Sequence, residues 1–233
     1  MSAGDKLIAV ETSGKVGRLA LALGDRAIDE REITAGMRHG RDLLPLLDEA
    51  FRAAGWSPQE VGLIAVSIGP GSFTGLRIAV MFARTAAWLT GAPVVAVPTL
   101  RVVAGGAPAE ARQVAALTDA QRGGVYWAAY RRDDRGDLVP TAPEAVGPPE
   151  TVVGSLRADA VLIGDALGRY PQVFTGRPQA DPSLWAPRAS VLAQLGWAMH
   201  LRDEHTAADR LEPLYVRRPA PEEVLERRKR GGR

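Results

Sequence analysis

The chain has 233 residues, enough for one large domain or two small ones at roughly 100 to 200 residues per domain. Hydrophobic residues make up 46%, so a sizeable core is within reach, while a net charge of only +2 is no electrostatic footprint for nucleic acid. The absence of cysteine excludes disulfides and thiolate metal sites, and no apolar run approaches the roughly 18 residues of a membrane span, so the sequence reads as a soluble cytoplasmic protein.

Three short strands are predicted first: Lys6 to Thr12, the alternating run Gly17 to Leu23, and Arg26 to Thr34, joined by Gly and Asp turns such as Gly24-Asp25. In RDLLPLLDEAFRAAG, Leu43, Leu44, Leu47, Ala50 and Phe51 recur at helical spacing, and Gly55 supplies the stop. Pro45 falls near the first turn, where its missing donor costs little. A strand over GLIAVSIG follows, then a helix over Leu76 to Leu89 with apolar residues on nearly every face, which predicts burial on more than one side. VVAVP is a further buried strand, so the first half is predicted to be a mixed sheet with helices packed on it.

The second half carries weaker signals. Gln113 to Thr118 and Gly124 to Arg131 read as a strand pair, AVLIGD at 160–165 as an apolar strand, and the Pro-, Gly- and charge-rich 134–149 as a loop or linker. Ser190 to Glu204 is predicted to be the last helix, capped by Ser190. The division expected is a first lobe at 1–106, a second lobe at 107–216, and a basic, disordered tail at 217–233.

Residues 67–77, SIGPGSFTGLR, sit between a strand and a helix. A Walker A loop needs Gly-Lys-Ser/Thr, whereas the last glycine here is followed by Leu76-Arg77; the spacing Gly69-x-Gly71-x-x-x-Gly75 also misses the dinucleotide fingerprint by one residue. Two readings remain open. One is a structural turn in which Gly69 and Gly71 allow unusual angles or close approach, Ser72 or Thr74 caps the helix, and Gly75 lets it pack tightly. The other is an anion site made by the free amides at the helix start.

SIGPGSFTGLRIAV resembles the signature block of the bacterial TsaB family of tRNA threonylcarbamoyladenosine biosynthesis proteins. LIAVETS before it, RHGRDLLPLLDEA, LTDAQRGGVYWAAY and EPLYVRRP fall in the same order as that family's blocks. The resemblance implies an α/β fold of the actin-like ATPase, ribonuclease-H-like kind, with two lobes of mixed sheets and packed helices, the second shortened. It implies a noncatalytic subunit without a cofactor that binds and activates a catalytic paralogue, TsaD, with a small ATPase, TsaE, joining the assembly. It further implies homodimers when the partner is absent and contact with tRNA only through the complex.

The residues are consistent with that demotion. Where the resemblance places the paralogue's His-x-x-x-His metal motif, this chain has Pro98-Thr99-Leu100-Arg101-Val102-Val103, and His39, His200 and His205 show no four-residue spacing. Glu11-Thr12-Ser13 resembles the first phosphate-loop position of the superfamily, and with Gly69, Gly71, Ser72, Thr74 and Gly75 the resemblance makes these candidate vestigial phosphate loops. Asp119 and Asp165 are expected in turn or cap roles, and His200 and His205 at the surface. The two first-half helices carry more apolar perimeter than one sheet face can cover, which makes His39, Leu43, Leu47, Ile78, Met81, Phe82 and Trp88 the candidate partner interface. Two alternatives stay open: an ATP-binding phosphotransferase or ATPase of the same superfamily, on Glu11-Thr12-Ser13 and the glycine loop, and a peptidase, for which no Ser/His/Asp set of interpretable order is present.

Overall fold

The computed structural model describes residues 5–33 and 39–216. β1 (Lys6–Glu11), β2 (Gly17–Leu23) and β3 (Arg26–Ile33) form an antiparallel meander. α1 (His39–Ala54) then leads to β4 (Leu63–Ser67), and α2 (Phe73–Thr90) to β5 (Val94–Val97). These two strands lie parallel to β1, giving the sheet order β3-β2-β1-β4-β5. After α3 (Thr99–Gly105), the strands β6 (Gln113–Asp119), β7 (Val125–Arg132) and β8 (Leu138–Gly147) form a second meander. α4 (Pro149–Ser155) leads to β9 (Val161–Ile163), which runs parallel to β6, and the order is β8-β7-β6-β9. The second sheet thus repeats the first, one strand short, as the two-lobed ribonuclease-H-like expectation requires.

Side-chain alternation explains which helix covers which face of the first sheet. Ile8, Val10, Leu19 and Leu21 point into the cluster under α1 and α2, whereas Leu7, Ala9, Ala20 and Ala22 point the other way. The alanines on that second face leave room for a close-packed helix, α7 (Ala189–His200), which follows α5 (Ala166–Arg169) and α6 (Pro171–Phe174). Two helices therefore cross the expected division at 106/107. α7 comes from the second half but covers the first sheet, and α3 comes from the first half but buries Leu100, Val103 and Ala104 with the second sheet's Val114, Ala128 and Tyr130.

Several sequence readings are corrected. Residues 134–149 contain a ten-residue strand, β8, not a linker. β8 is an edge strand bonded only to β7, so Pro140 and Pro143 remove donors that the sheet does not require. α2 begins at Phe73, three residues before the expected start, because Ser72 is the cap that accepts from the Gly75 amide. Ser190 is not the cap of α7, which starts at Ala189; its amide and hydroxyl instead donate to the Glu30 carboxylate of β3, at 3.1 and 2.7 Å. That carboxylate on the helix's first turn complements the dipole and ties α7 to the sheet. α7 also ends at His200 rather than Glu204.

A C-terminal strap completes the fold. Thr206 bridges to Val94 at the edge of β5, Leu211 is buried in the cluster under α1 and α2, and the Leu214 amide donates to the Ile68 carbonyl at 2.7 Å. The expected basic tail at 217–233 lies outside the described residues. Among the described residues no helix is long and apolar enough to cross a membrane.

Candidate functional site

The glycine-rich loop leaves β4 and is closed against the end of β1. Thr12 Oγ1 donates to the Gly75 carbonyl at 2.7 Å, and the Ser72 amide donates to the Ser13 carbonyl at 2.7 Å. A Cβ on Gly71 would stand 2.5 Å from that Ser13 carbonyl oxygen, and one on Gly75 would overlap the Thr12 carbonyl oxygen. Only glycine lets two main chains approach this closely. The Gly69 amide is also occupied, donating to Thr99 Oγ1 at 3.1 Å, while its carbonyl accepts from the Thr99 amide. An anion nest needs a group of free amides, and those of Gly69, Ser72 and Gly75 are committed within the chain. Thr74, the other candidate cap, lies exposed in the first turn of α2.

Glu11 lies beneath this loop, fully buried together with Thr12 and Ser67. Its Oε1 accepts from the Ser13 amide at 2.6 Å and the Ser13 hydroxyl at 2.5 Å. Burial pushes the carboxyl above its ordinary value, against the lowering pull of Ser13, Ser67 and Arg18. Oε2 and the Ser67 hydroxyl make no hydrogen bond of normal geometry. A group in this setting favours the protonated form and addresses its own turn.

Asp119 and Asp165 stand at the ends of β6 and β9. Asp165 accepts from the Asp119 amide, and Asp119 accepts from the Gln121 amide, both at 2.9 Å, so each carboxylate shapes a turn. The Asp165 carboxyl is raised by burial and by neighbouring Asp119, with Lys15 opposing. His200 and His205 face each other with ring nitrogens 2.8 Å apart, and Trp197 lies beside His200. Among the described residues no three His, Cys, Asp or Glu side chains are grouped to hold a metal.

The helix surface is divided differently from the expectation. Leu43 and Leu47 are 2% and 8% exposed and belong to the core under α1, so they are not available to a partner. Position 44 lies on the outer flank of the same helix, and Leu44 is 62% exposed. On α2 the stripe Leu76, Ala79, Val80, Ala83 and Ala87 faces the sheet. Ile78 and Phe82 are half-buried at its margin, whereas Met81 (59% exposed), Trp88 (82%) and Leu89 project outward. The start of α1 abuts this margin, with Gly40 beside Ile78. His39 opens α1, but its side chain lies outside the described residues.

Sequence reasoning missed Leu44, Leu89, Phe73 and Tyr215. The signal for Leu44 was partial: it shares the helical spacing of Leu47 and Phe51 at i, i+3 and i+7, so spacing alone did not separate it from Leu43, and its exposure is set by how α1 is rotated against the sheet. Tyr215 carried no comparable signal, because only the course of the strap brings its ring to 5.5 Å from Phe73.

Residues 33–183 match the family described as TsaD, tRNA N6-adenosine threonylcarbamoyltransferase. The chain is 29% identical over 219 residues to the tRNA threonylcarbamoyladenosine biosynthesis protein TsaB of Escherichia coli (strain K12), covering 91% of this chain and 94% of that protein. It is 28% identical over 221 residues to the protein of the same name from Haemophilus influenzae, covering 91% and 93%. Among solved structures, YeaZ from Pseudomonas aeruginosa superposes with a TM-score of 0.81 at 34% identity, covering 92% of this chain and all of that one. With the two-sheet plan, the glycine loop and these likenesses together, the chain belongs to the TsaD family and, within it, to the TsaB branch.

Proposed function

We propose that this protein serves threonylcarbamoyladenosine formation on tRNA as a noncatalytic subunit that binds and activates a TsaD-like catalytic paralogue. One observation carries the reading: α2 presents Met81, Trp88 and Leu89 outward, Leu44 of the adjoining α1 is exposed as well, and the chain's own second sheet and α7 pack elsewhere. An indole this exposed on a helix without a single acidic residue is the kind of anchor that protein interfaces bury at their centre. The glycine loop supports the noncatalytic part, because the amides of Gly69, Ser72 and Gly75 already donate to Thr99 Oγ1, the Ser13 carbonyl and Ser72 Oγ.

The interface residues are therefore Leu44, Met81, Trp88 and Leu89, with Ile78 and Phe82 contributing at the margin. Self-association through the same face when the paralogue is missing, a TsaE-like ATPase joining the assembly, and tRNA contact through the complex belong to this reading. The test is reconstitution. Purified chain and TsaD protein from the same organism should co-elute on gel filtration, and their mixture should yield modified adenosine in digested tRNA. Failure to associate under conditions that support modification would contradict it.

A further inference from the structure

At the head of α2, three side chains form a unit that the interface described above does not include. The Arg77 guanidinium carbon lies 3.8 Å from the centroid of the Phe73 ring, and Arg77 Nε donates to the Tyr215 hydroxyl at 3.3 Å. The Phe73 and Tyr215 rings lie 5.5 Å apart. All three residues are exposed, and so is Leu214. Arg77 makes no ion pair among the described residues, and α2 contains Arg77 and Arg84 but no acid. The unit depends on the strap, since Tyr215 reaches Arg77 only because Leu211 is buried under α1 and α2 and the Leu214 amide is fixed on the Ile68 carbonyl.

Resting on the docking reading above, we propose that the strap is part of the docking face and that Tyr215 is a positioning residue, holding Arg77 to receive a carboxylate of the partner at the head of the apolar stripe. A planar guanidinium stacked on one ring and bonded to a second has lost much of its rotamer freedom before the partner arrives, so less is lost on pairing. Charge complementarity selects the occupant: a cationic helix without acids fits a protein surface whose apolar patch is flanked by Asp or Glu.

Calorimetric titration of the full chain into the TsaD paralogue tests this, with Arg77→Ala, Tyr215→Ala, the double variant and Trp88→Ala compared at two salt concentrations. The expected result is a roughly tenfold weaker complex for each of the first two variants. The double variant should be no weaker than Arg77→Ala alone, because Tyr215 acts through Arg77, and the salt dependence should shrink in every variant that disturbs Arg77. Tyr215→Phe, which keeps the ring and removes the acceptor oxygen, should fall between wild type and Tyr215→Ala. Wild-type affinity for Arg77→Ala and Tyr215→Ala with a weakened Trp88→Ala would overturn this proposal alone. Fully additive losses would overturn the positioning role. Wild-type affinity for all variants, Trp88→Ala included, would overturn the docking reading and this proposal with it.

Discussion

The two sides of α2 are built in opposite ways. At its N-terminal, inward side the glycine loop is pressed so tightly onto Thr12 and Ser13 that a Cβ at Gly71 or Gly75 would collide with the facing carbonyl oxygen. On its outward side an indole, a thioether and a leucine face solvent. A site built for small-molecule chemistry keeps polar groups free and excludes water from a cavity; a site built for a protein keeps apolar area in reach on a rigid element. Here the polar region is closed and the apolar region is open.

Volume changes should expose the contrast most sharply. Gly75→Ala puts a methyl group into the Thr12 carbonyl and should cost about 3 kcal/mol of stability in urea denaturation, at the upper end for overpacking. Leu43→Ala should cost about as much, roughly 3 kcal/mol for a buried leucine truncated to alanine, whereas Leu44→Ala one position along should stay within about 0.5 kcal/mol. Equal losses for the two leucines would break the division of α1 into a core flank and an exposed flank.

Trp88→Ala should do the reverse of Gly75→Ala. Its thermal midpoint should remain near that of the wild type, while its complex with the TsaD paralogue should weaken by about 2 kcal/mol, the scale of an interface anchor. A large loss of stability with unchanged binding would place the indole in the fold rather than the interface.

A smaller effect separates the second lobe from both regions. Glu144 on β8 is pushed up to about 7 by burial, and neither of its carboxyl oxygens has a hydrogen-bond partner. The folded protein holds this proton up to about 7, while the unfolded chain releases it near the ordinary 4.5, so between these values the folded state binds more protons. Stability is therefore expected to fall as pH rises through that window and to level off above it. Glu144→Gln should flatten this part of a denaturation series, and an unchanged slope would contradict the assignment.

The parts of this arrangement that were legible in the sequence are those set by local pattern. The meander, the alternation in GRLALAL, the Ser72 cap and the tight approach at Gly71 and Gly75 follow from residue type and spacing. β8 was obscured because edge position, which sequence does not display, is what makes Pro140 and Pro143 tolerable. Ser190 looked like a cap because the deciding partner, Glu30, is 160 residues away. The proposed docking face was half legible: an α2 with apolar residues on nearly every face announced that some of it would be left uncovered, but the choice between Leu43 and Leu44 depended on how the helix is rotated against the sheet. Tyr215 was invisible for the same reason as Ser190, since a long-range strap sets its neighbours.

The central claim is tested most directly by titrating the full-length chain into the TsaD paralogue beside a Met81→Ala/Trp88→Ala variant, with each also titrated with Mg-ATP alone. The account predicts a saturable heat of complex formation for the wild type, its collapse in the variant, and no nucleotide turnover by the isolated chain. Undiminished binding by the variant, or tight ATP binding with turnover by the chain alone, would contradict it.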